Sequence, residues 1–121
     1  MSTRSLIGIL YPNNEYKYIY CHFDGYPEGV GATLVESYIS REKINNLIDM
    51  GDIPDLEDRL EKITPYKDTQ TKIAKLDMIP NMGEEYIYLW DGDKWICKEV
   101  DRFDVSFFNF NSLKEVEIPK E

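Results

Sequence analysis

The only histidine of the chain lies among the residues most capable of chemistry. The stretch from Tyr20 to Gly31, YCHFDGYPEGVG, holds His22, one of two cysteines and three of seven glycines. His22 and Asp24 are two positions apart, so both side chains can project from one face at a strand end, where the carboxylate would favour a charged imidazole. With Tyr26 nearby, general acid–base chemistry is conceivable. The structural alternative is that Asp24 caps the Asp-Gly turn and His22 hydrogen-bonds a tyrosine.

Arg4 is the second candidate, because an arginine beside hydroxyls, a histidine and a glycine-rich helix start could hold a phosphate or a carboxylate. Pairing of the first two strands through Asn13-Asn14 would bring Arg4 near Phe23 and Asp24. An Arg4–Asp24 ion pair that fixes the hairpin to the turn is the alternative. The glycines lack the spacings of nucleotide-binding loops, and no nucleophile stands at a matching spacing. Binding is therefore favoured over catalysis, and no catalytic residue is predicted.

Composition excludes several function classes. The chain carries 23 acidic and 14 basic residues, a formal charge of −9, which disfavours direct nucleic-acid binding. Such an excess is typical of a solvated surface, or of mimicry of nucleic acid against a basic partner. No apolar run approaches the roughly 20 residues that span a bilayer, and Met1 to Ser5 has no signal-peptide pattern, so we expect no membrane contact and a cytoplasmic location.

Cys21 and Cys97 fit buried, reduced thiols, and neither a metal site nor a cofactor is predicted.

Two β-hairpins are predicted. Ser5 to Leu10 and Tyr16 to Phe23 flank a turn-like Tyr-Pro-Asn-Asn-Glu, and Glu85 to Trp90 and Lys94 to Val100 flank Asp-Gly-Asp. A period of two places side chains alternately on opposite faces of a strand. On the second strand the core face takes Ile19, Cys21 and Phe23, and the other face takes Tyr16, Tyr18, Tyr20 and His22. On the third strand Tyr86, Tyr88 and Trp90 oppose Ile87 and Leu89.

Helical spacing predicts three short helices between the hairpins. The first runs from about Val30 to Ile39, the second is capped by Ser40 and stopped by Gly51, and the third is capped by Asp52. The apolar stripe of the third helix consists of Ile53, Leu56, Leu60 and Ile63. Residues 64–83 are predicted as a long loop with one helical turn around Lys72 to Leu76. The tail, 103–118, offers two candidate edge strands and an aromatic run that the helices or another subunit would cover.

These elements predict an α+β fold with two layers over residues 1–121, as a single domain. An antiparallel sheet of four or five strands carries about three short helices on its aliphatic face. Its other face would display aromatic side chains, which the long loop and tail, a partner chain or a ligand must cover. A homo-oligomer through this face or through the tail is thus an open alternative. Aromatic rings also suit the stacking of bases. The predicted ligand-binding residues are Arg4, Tyr20, His22, Asp24, Tyr26, Tyr88 and Trp90.

Two motifs resemble a mostly uncharacterised family of small proteins encoded by bacteriophages and prophages. Its members open with Thr-Arg-Ser-x-Ile-Gly, as Thr3 to Gly8 does here, and continue with Tyr-Cys-His-Trp-Asp-Gly-Tyr-Pro, which Tyr20 to Pro27 matches with Phe23 in place of tryptophan. The similarity covers about the first half of the chain and the hairpin around 86–95. It implies a phage accessory protein, and such proteins often counteract host defence. It also marks Arg4, His22, Asp24 and Tyr26 as positions of interest.

The leading hypothesis combines the motifs with the polar strand end. A small cytoplasmic protein of an infected bacterium would bind and sequester a nucleotide-derived signal without turning it over. Arg4 would meet a phosphate, and His22 and Asp24 would hold ribose hydroxyls or a second phosphate. The base would stack on Tyr20, Tyr26, Tyr88 or Trp90. One alternative is an acidic inhibitor that binds a host defence effector or nuclease. Another is a nucleotide-processing enzyme that uses His22.

Overall fold

In the computed structural model, residues 2–119 are described, and they form eight β-strands and two α-helices. In chain order these are β1 (Ser5–Tyr11), β2 (Glu15–Cys21), α1 (Ala32–Ser37), α2 (Arg41–Ile48), β3 (Lys72–Lys75), β4 (Ile79–Pro80), β5 (Tyr86–Trp90), β6 (Trp95–Glu99), β7 (Phe107–Phe108) and β8 (Lys114–Val116). A π-helical turn, Pro27–Gly31, leads into α1, and single 3-10 turns occur at Leu60–Lys62 and Phe110–Ser112. Met1, Lys120 and Glu121 of the predicted domain lie outside the described residues.

The α+β class is confirmed, but the sheets differ from the prediction. Within residues 2–119 the main sheet has six strands in the order β3-β2-β1-β5-β6-β8, and β4 pairs with β7 in a second, two-stranded sheet. Neighbouring strands are antiparallel except β1 and β5, which are parallel. The prediction of a wholly antiparallel sheet is therefore wrong at its centre. A parallel pair needs a long crossover, which the segment between β2 and β5 supplies.

Both predicted hairpins are confirmed. In the first, Asn13 and Asn14 take positive φ values of 66° and 60°, as the central residues of a tight hairpin turn require. Asparagine tolerates this left-handed region better than most residues. In the second, Gly92 has a φ of 104°. Local turn chemistry thus sets the register of both hairpins, with Ile7 opposite Ile19 in the first.

The main sheet is covered on both faces. We call the face under α1 and α2 the helix face; its core includes Ile7 and Ile19 together with Leu34, Leu47 and Ile48, all fully buried. We call the opposite face the back face. Its core is formed by Leu6, Tyr16, Tyr18, Leu76, Ile79, Ile87, Leu89, Val100, Phe108 and Phe110. The loop after β3 and the tail therefore cover the aromatic side chains of β2, which was one of the three predicted alternatives.

The predicted common aromatic face is wrong. Tyr16 and Tyr18 lie on the back face, whereas Tyr88 lies on the helix face with Tyr86 and Trp90 beside it. The register explains the split, because Ile7 lies opposite both Ile19 and Tyr88, so these three side chains share one face. Alternation within β5 was predicted correctly; its orientation relative to β2 depends on the long-range pairing with β1.

The predicted third helix is also wrong. Asp52, its expected cap, accepts instead from the backbone N–H of Tyr20 at 2.9 Å and from Lys72 Nζ at 2.7 Å. Ile53 pairs alongside the end of β2 in a parallel bridge to Cys21, since its N–H donates to the Tyr20 carbonyl and its own carbonyl accepts from the His22 N–H. Only the turn Leu60–Lys62 is helical in this segment. Tertiary hydrogen bonds have overridden a helical periodicity.

The middle of the chain contains strands where a loop was predicted. The expected helical turn around 72–76 is instead β3, which pairs with β2 and places Ile73 opposite Lys17. In the tail β8 forms the edge of the main sheet, so one of the two candidate edge strands is confirmed. Phe108 and Phe110 of the aromatic run are buried on the back face rather than under the helices. None of the helices in residues 2–119 has the length and apolar character needed to cross a membrane.

Candidate functional site

The two sequence motifs meet in space. The Gly25 N–H donates to the Thr3 carbonyl at 2.8 Å, and a Cβ at Gly25 would lie 2.8 Å from the Ser5 side chain. Only glycine therefore fits where the N-terminal segment crosses the end of β2. Asp24 turns the chain with a φ of 58°, and its carbonyl accepts from the N–H of Val30 within the π-helical turn. This strand-to-helix corner is thus held by backbone hydrogen bonds and close packing.

Tyr88 holds the corner from the helix face. Its side chain is fully buried, and its hydroxyl donates to the Gly25 carbonyl at 2.7 Å. Burial raises the pKa of this phenol well above its usual value, so it stays protonated and remains a donor. Tyr88 therefore has a structural role, and the prediction that its ring stacks a ligand is incompatible with its burial.

His22 is paired with Tyr20. The Tyr20 hydroxyl lies 2.8 Å from His22 Nδ1, and both side chains are partly exposed. Burial raises the pKa of Tyr20, while the positive charge of Arg4 opposes this shift. The phenol is thus protonated at neutral pH and able to donate to the imidazole. The ring of Phe23 meets His22 edge-on, with centroids 4.6 Å apart, so the imidazole is oriented by two aromatic neighbours. The prediction that Phe23 faces the core is wrong, because Phe23 lies beyond the end of β2 and is 44% exposed.

Asp24 is paired with Tyr26 instead of His22. The Tyr26 hydroxyl donates to Asp24 Oδ1 at 3.2 Å, and this hydrogen bond raises the pKa of the phenol. Both residues are exposed. The expected His22–Asp24 pair is therefore wrong, because Asp24 lies in the left-handed region and no longer follows the alternation of β2.

Arg4 extends over the neighbouring loop. Its guanidinium lies against Gly83, where a Cβ would come within 2.9 Å of Nη1, and its carbonyl accepts from the Glu85 N–H. Among residues 2–119 the ion pairs include neither Arg4–Asp24 nor any other pair with Arg4. The alternative of an Arg4–Asp24 ion pair is thus wrong. We call Arg4, Tyr20 and His22 the corner cluster, since Tyr20 bonds His22 and Arg4 directly precedes Ser5, which lies opposite Cys21 between them.

Trp90 lies away from the corner cluster, on the helix face near the hairpin turn. Its ring meets Trp95 edge-on, with centroids 5.5 Å apart. Both tryptophans line a groove of about 490 Å³ between α1, β6 and residues 115–118. Val35, Ile39 and Ile118 belong to its apolar lining. Sequence reasoning missed this groove, because it depends on where the chain runs after β8; the one available signal was Ile39, an apolar residue at a helix end.

Glu84 was also missed. It is buried at the edge of the back face, where Oε1 accepts from the Met82 N–H at 2.6 Å and Oε2 has no hydrogen-bond partner within residues 2–119. Burial raises the pKa of this carboxyl. Its charge in turn contributes to the raised pKa of Tyr16 and of Tyr18, the latter to about 12, after burial itself as the main cause.

The fold and the site define an α+β protein with a mixed six-stranded sheet and a polar corner cluster at one strand end. Comparison with family models, with curated proteins and with solved structures gives no match. The resemblance to small phage proteins stays a prediction. Of the seven predicted ligand-binding residues, the fold brings three into one cluster and sets two beside it; Tyr88 lies buried beneath, and Trp90 lines the separate groove.

Proposed function

We propose that the protein binds a small anionic ligand of the nucleotide class at the corner cluster, without transforming it. The observation that carries this proposal is the state of Arg4. Its guanidinium is exposed and has no carboxylate partner among residues 2–119, in a chain with a net charge of −9. A guanidinium without a partner can bind phosphate oxygens in a bidentate manner.

Aromatic surface beside the cluster supports a ligand with a planar ring. Phe23 is 44% exposed and packs against His22, and Tyr20 is partly exposed next to it. Such rings can stack a base, and base stacking is worth about 1–3 kcal/mol. Of the four residues predicted to stack the base, Tyr20 keeps this role here and Phe23 joins it, whereas Tyr88 is buried and Trp90 lines the separate groove. His22 presents its second ring nitrogen for a hydrogen bond to ribose or phosphate.

The same geometry favours binding over turnover. His22 is hydrogen-bonded to a phenol that burial keeps protonated, so Tyr20 is not an activated nucleophile. Cys21, the adjacent thiol, is fully buried, and burial raises its pKa to about 12. Asp24 is engaged with Tyr26. The cluster therefore offers groups that hold a ligand and lacks an activated nucleophile to attack it.

The cellular setting follows from the motif resemblance and is part of this proposal. The protein would act in the cytoplasm of an infected bacterium as a phage accessory factor, sequestering a nucleotide-derived signal of host immunity. A cluster that binds without turnover is suited to sequestration, because the bound ligand is removed from its receptor for as long as it stays bound.

Calorimetric titration with cyclic nucleotides and cyclic ADP-ribose isomers tests the proposal. We expect at least one of them to bind, and Arg4→Gln to weaken it about 10- to 100-fold, as loss of a charge-assisted hydrogen bond of about 1.5–3 kcal/mol predicts. Arg59→Gln is the matched control, since Arg59 is also exposed and lies in a different part of the chain. Absence of heat with every ligand, from protein shown to be folded, would contradict the proposal.

A further inference from the structure

We propose that the groove beside β6 binds an extended, basic segment of a partner protein, which adds as a strand to the edge of the main sheet. This site is separate from the corner cluster and does not depend on the proposed ligand. Three features support it: free backbone groups on β6, an apolar floor and an acidic rim.

The hydrogen-bond pattern of the second hairpin shows which way the β6 backbone points. The Asp91 N–H donates to the Lys94 carbonyl, and the Val100 N–H donates to the Glu85 carbonyl. Hydrogen-bonded and non-hydrogen-bonded pairs alternate along an antiparallel ladder. Trp95, one position inside the Asp91–Lys94 pair, must therefore direct its N–H and C=O away from β5, towards the sheet edge.

The edge strand β8 does not reach these groups. Its ladder ends with Val116 opposite Cys97, and Ile118 would be the next residue opposite Trp95. Within residues 2–119 no backbone hydrogen bond joins Ile118 to Trp95. Ile118 lies on the helix face, as alternation from Val116 requires, and its Cγ2 would be 3.0 Å from a Cβ at Gly31. Within the described residues the Trp95 backbone thus has no partner strand at the sheet edge, and it can pair with an incoming strand.

The floor of the groove is apolar and accessible. Ile39 is 68% exposed, and Trp90 and Val35 are partly exposed beside it. A strand that adds to an edge directs alternate side chains to one face. Every second residue of the partner segment would therefore lie on this floor, and we expect apolar side chains at those positions.

The rim determines the charge of the partner. Asp93, Glu115 and Glu117 line the groove, and Lys94 is the one cation among its lining residues in the described part of the chain. This excess of carboxylates, in a chain of net charge −9, attracts cations and repels phosphate or acidic peptides. The partner segment is therefore one in which apolar residues alternate with lysine or arginine.

Selection from a displayed library of random twelve-residue peptides tests the proposal. We expect enrichment of sequences that alternate apolar residues with lysine or arginine. The best enriched peptide, made synthetically, should change the fluorescence of Trp90 and Trp95, which are the only tryptophans of the chain and both line the groove. Hydrogen exchange followed by NMR should show protection of the Trp95 amide when the peptide is bound.

Two variants locate the binding. Ile39→Asp should weaken the peptide at least tenfold, because it removes an apolar contact from the floor of the groove. The high exposure of Ile39 keeps the fold intact. Glu117→Lys should weaken it about three- to tenfold, as reversal of a rim charge predicts. The matched control is Asp77→Lys, an equal charge change just beyond β3 at the opposite edge of the sheet.

Several outcomes would overturn the proposal. These are no enrichment over a mock selection, enriched peptides without excess cationic residues, an unprotected Trp95 amide in the bound state, or equal weakening by Glu117→Lys and Asp77→Lys. Arg4→Gln should leave peptide binding unchanged, so that failure of the groove and failure of the corner cluster are distinguished.

Discussion

The Tyr88 hydroxyl offers the sharpest test of how the corner is held. Tyr88→Phe removes a single oxygen atom, whose hydrogen bond to the Gly25 carbonyl is 2.7 Å long and buried. The loss leaves a buried carbonyl without its phenol donor, which costs about 1–3 kcal/mol. Against a total stability of about 5–15 kcal/mol, this is a large fraction. The ring is retained, so packing on the helix face should change little.

Urea unfolding of wild type and Tyr88→Phe measures this difference. We expect the free energy of unfolding to fall by about 1–3 kcal/mol with the slope against urea unchanged, since the exposed surface on unfolding stays the same. Tyr66→Phe is the control; Tyr66 is exposed, so its loss should stay within about 0.5 kcal/mol. Hydrogen exchange should also accelerate at the Gly25 amide, which bonds the Thr3 carbonyl. Equal stability of the two variants would refute the reasoning.

Three further predictions concern buried groups. Burial raises the folded-state pKa of Glu84 above its usual 4.5, so the stability that this carboxyl contributes below about pH 4.5 is lost as pH rises through the folded value. The free energy of unfolding of wild type should therefore fall relative to that of Glu84→Gln between pH 4 and 8. A difference between the two proteins that does not change with pH would contradict this. Gly8→Ala should destabilise by about 3 kcal/mol in thermal unfolding, because its Cβ would lie 2.6 Å from the Tyr16 ring; a normal melting temperature would argue against it. Cys21 and Cys97 are buried, and burial raises the pKa of each thiol to about 12. A thiol reagent at pH 7.5 should therefore label both only after unfolding. Rapid labelling of the native protein would show instead that they are accessible.

The sequence correctly predicted those features of the fold that depend on interactions between neighbouring residues. The first turn needs only Asn13 and Asn14 to adopt positive φ and the second only Gly92, and both hairpins were found where the sequence places them. Long-range hydrogen bonds decided the rest. Asp52 has the residue type and position of a helix cap, yet its carboxylate binds Lys72 and the end of β2. Helical periodicity after it could not reveal that competition.

At the candidate site, too, local patterns were predicted correctly and long-range pairings were not. The alternation of β2 correctly placed Tyr20 and His22 on one side of the strand, and they form a hydrogen bond there. The pairing of Asp24 was mispredicted, since its positive φ ends the alternation. The sheet face of Trp90 was mispredicted for a different reason. The orientation of β5 is set by its register against β1, and no residue within β5 encodes which strand it will join.

The parallel pairing of β1 with β5 has a consequence for the order of folding. Roughly 75 residues separate the end of β1 at Tyr11 from the start of β5 at Tyr86, and a ribosome adds residues at about 5–20 per second. The first hairpin therefore emerges roughly 4–15 s before its central partner exists. During that time one edge of β1 has unpaired backbone groups and exposed isoleucines, a state prone to pairing with other chains. Closure of the sheet during synthesis is then limited by translation as well as by the high sequence separation of its contacts.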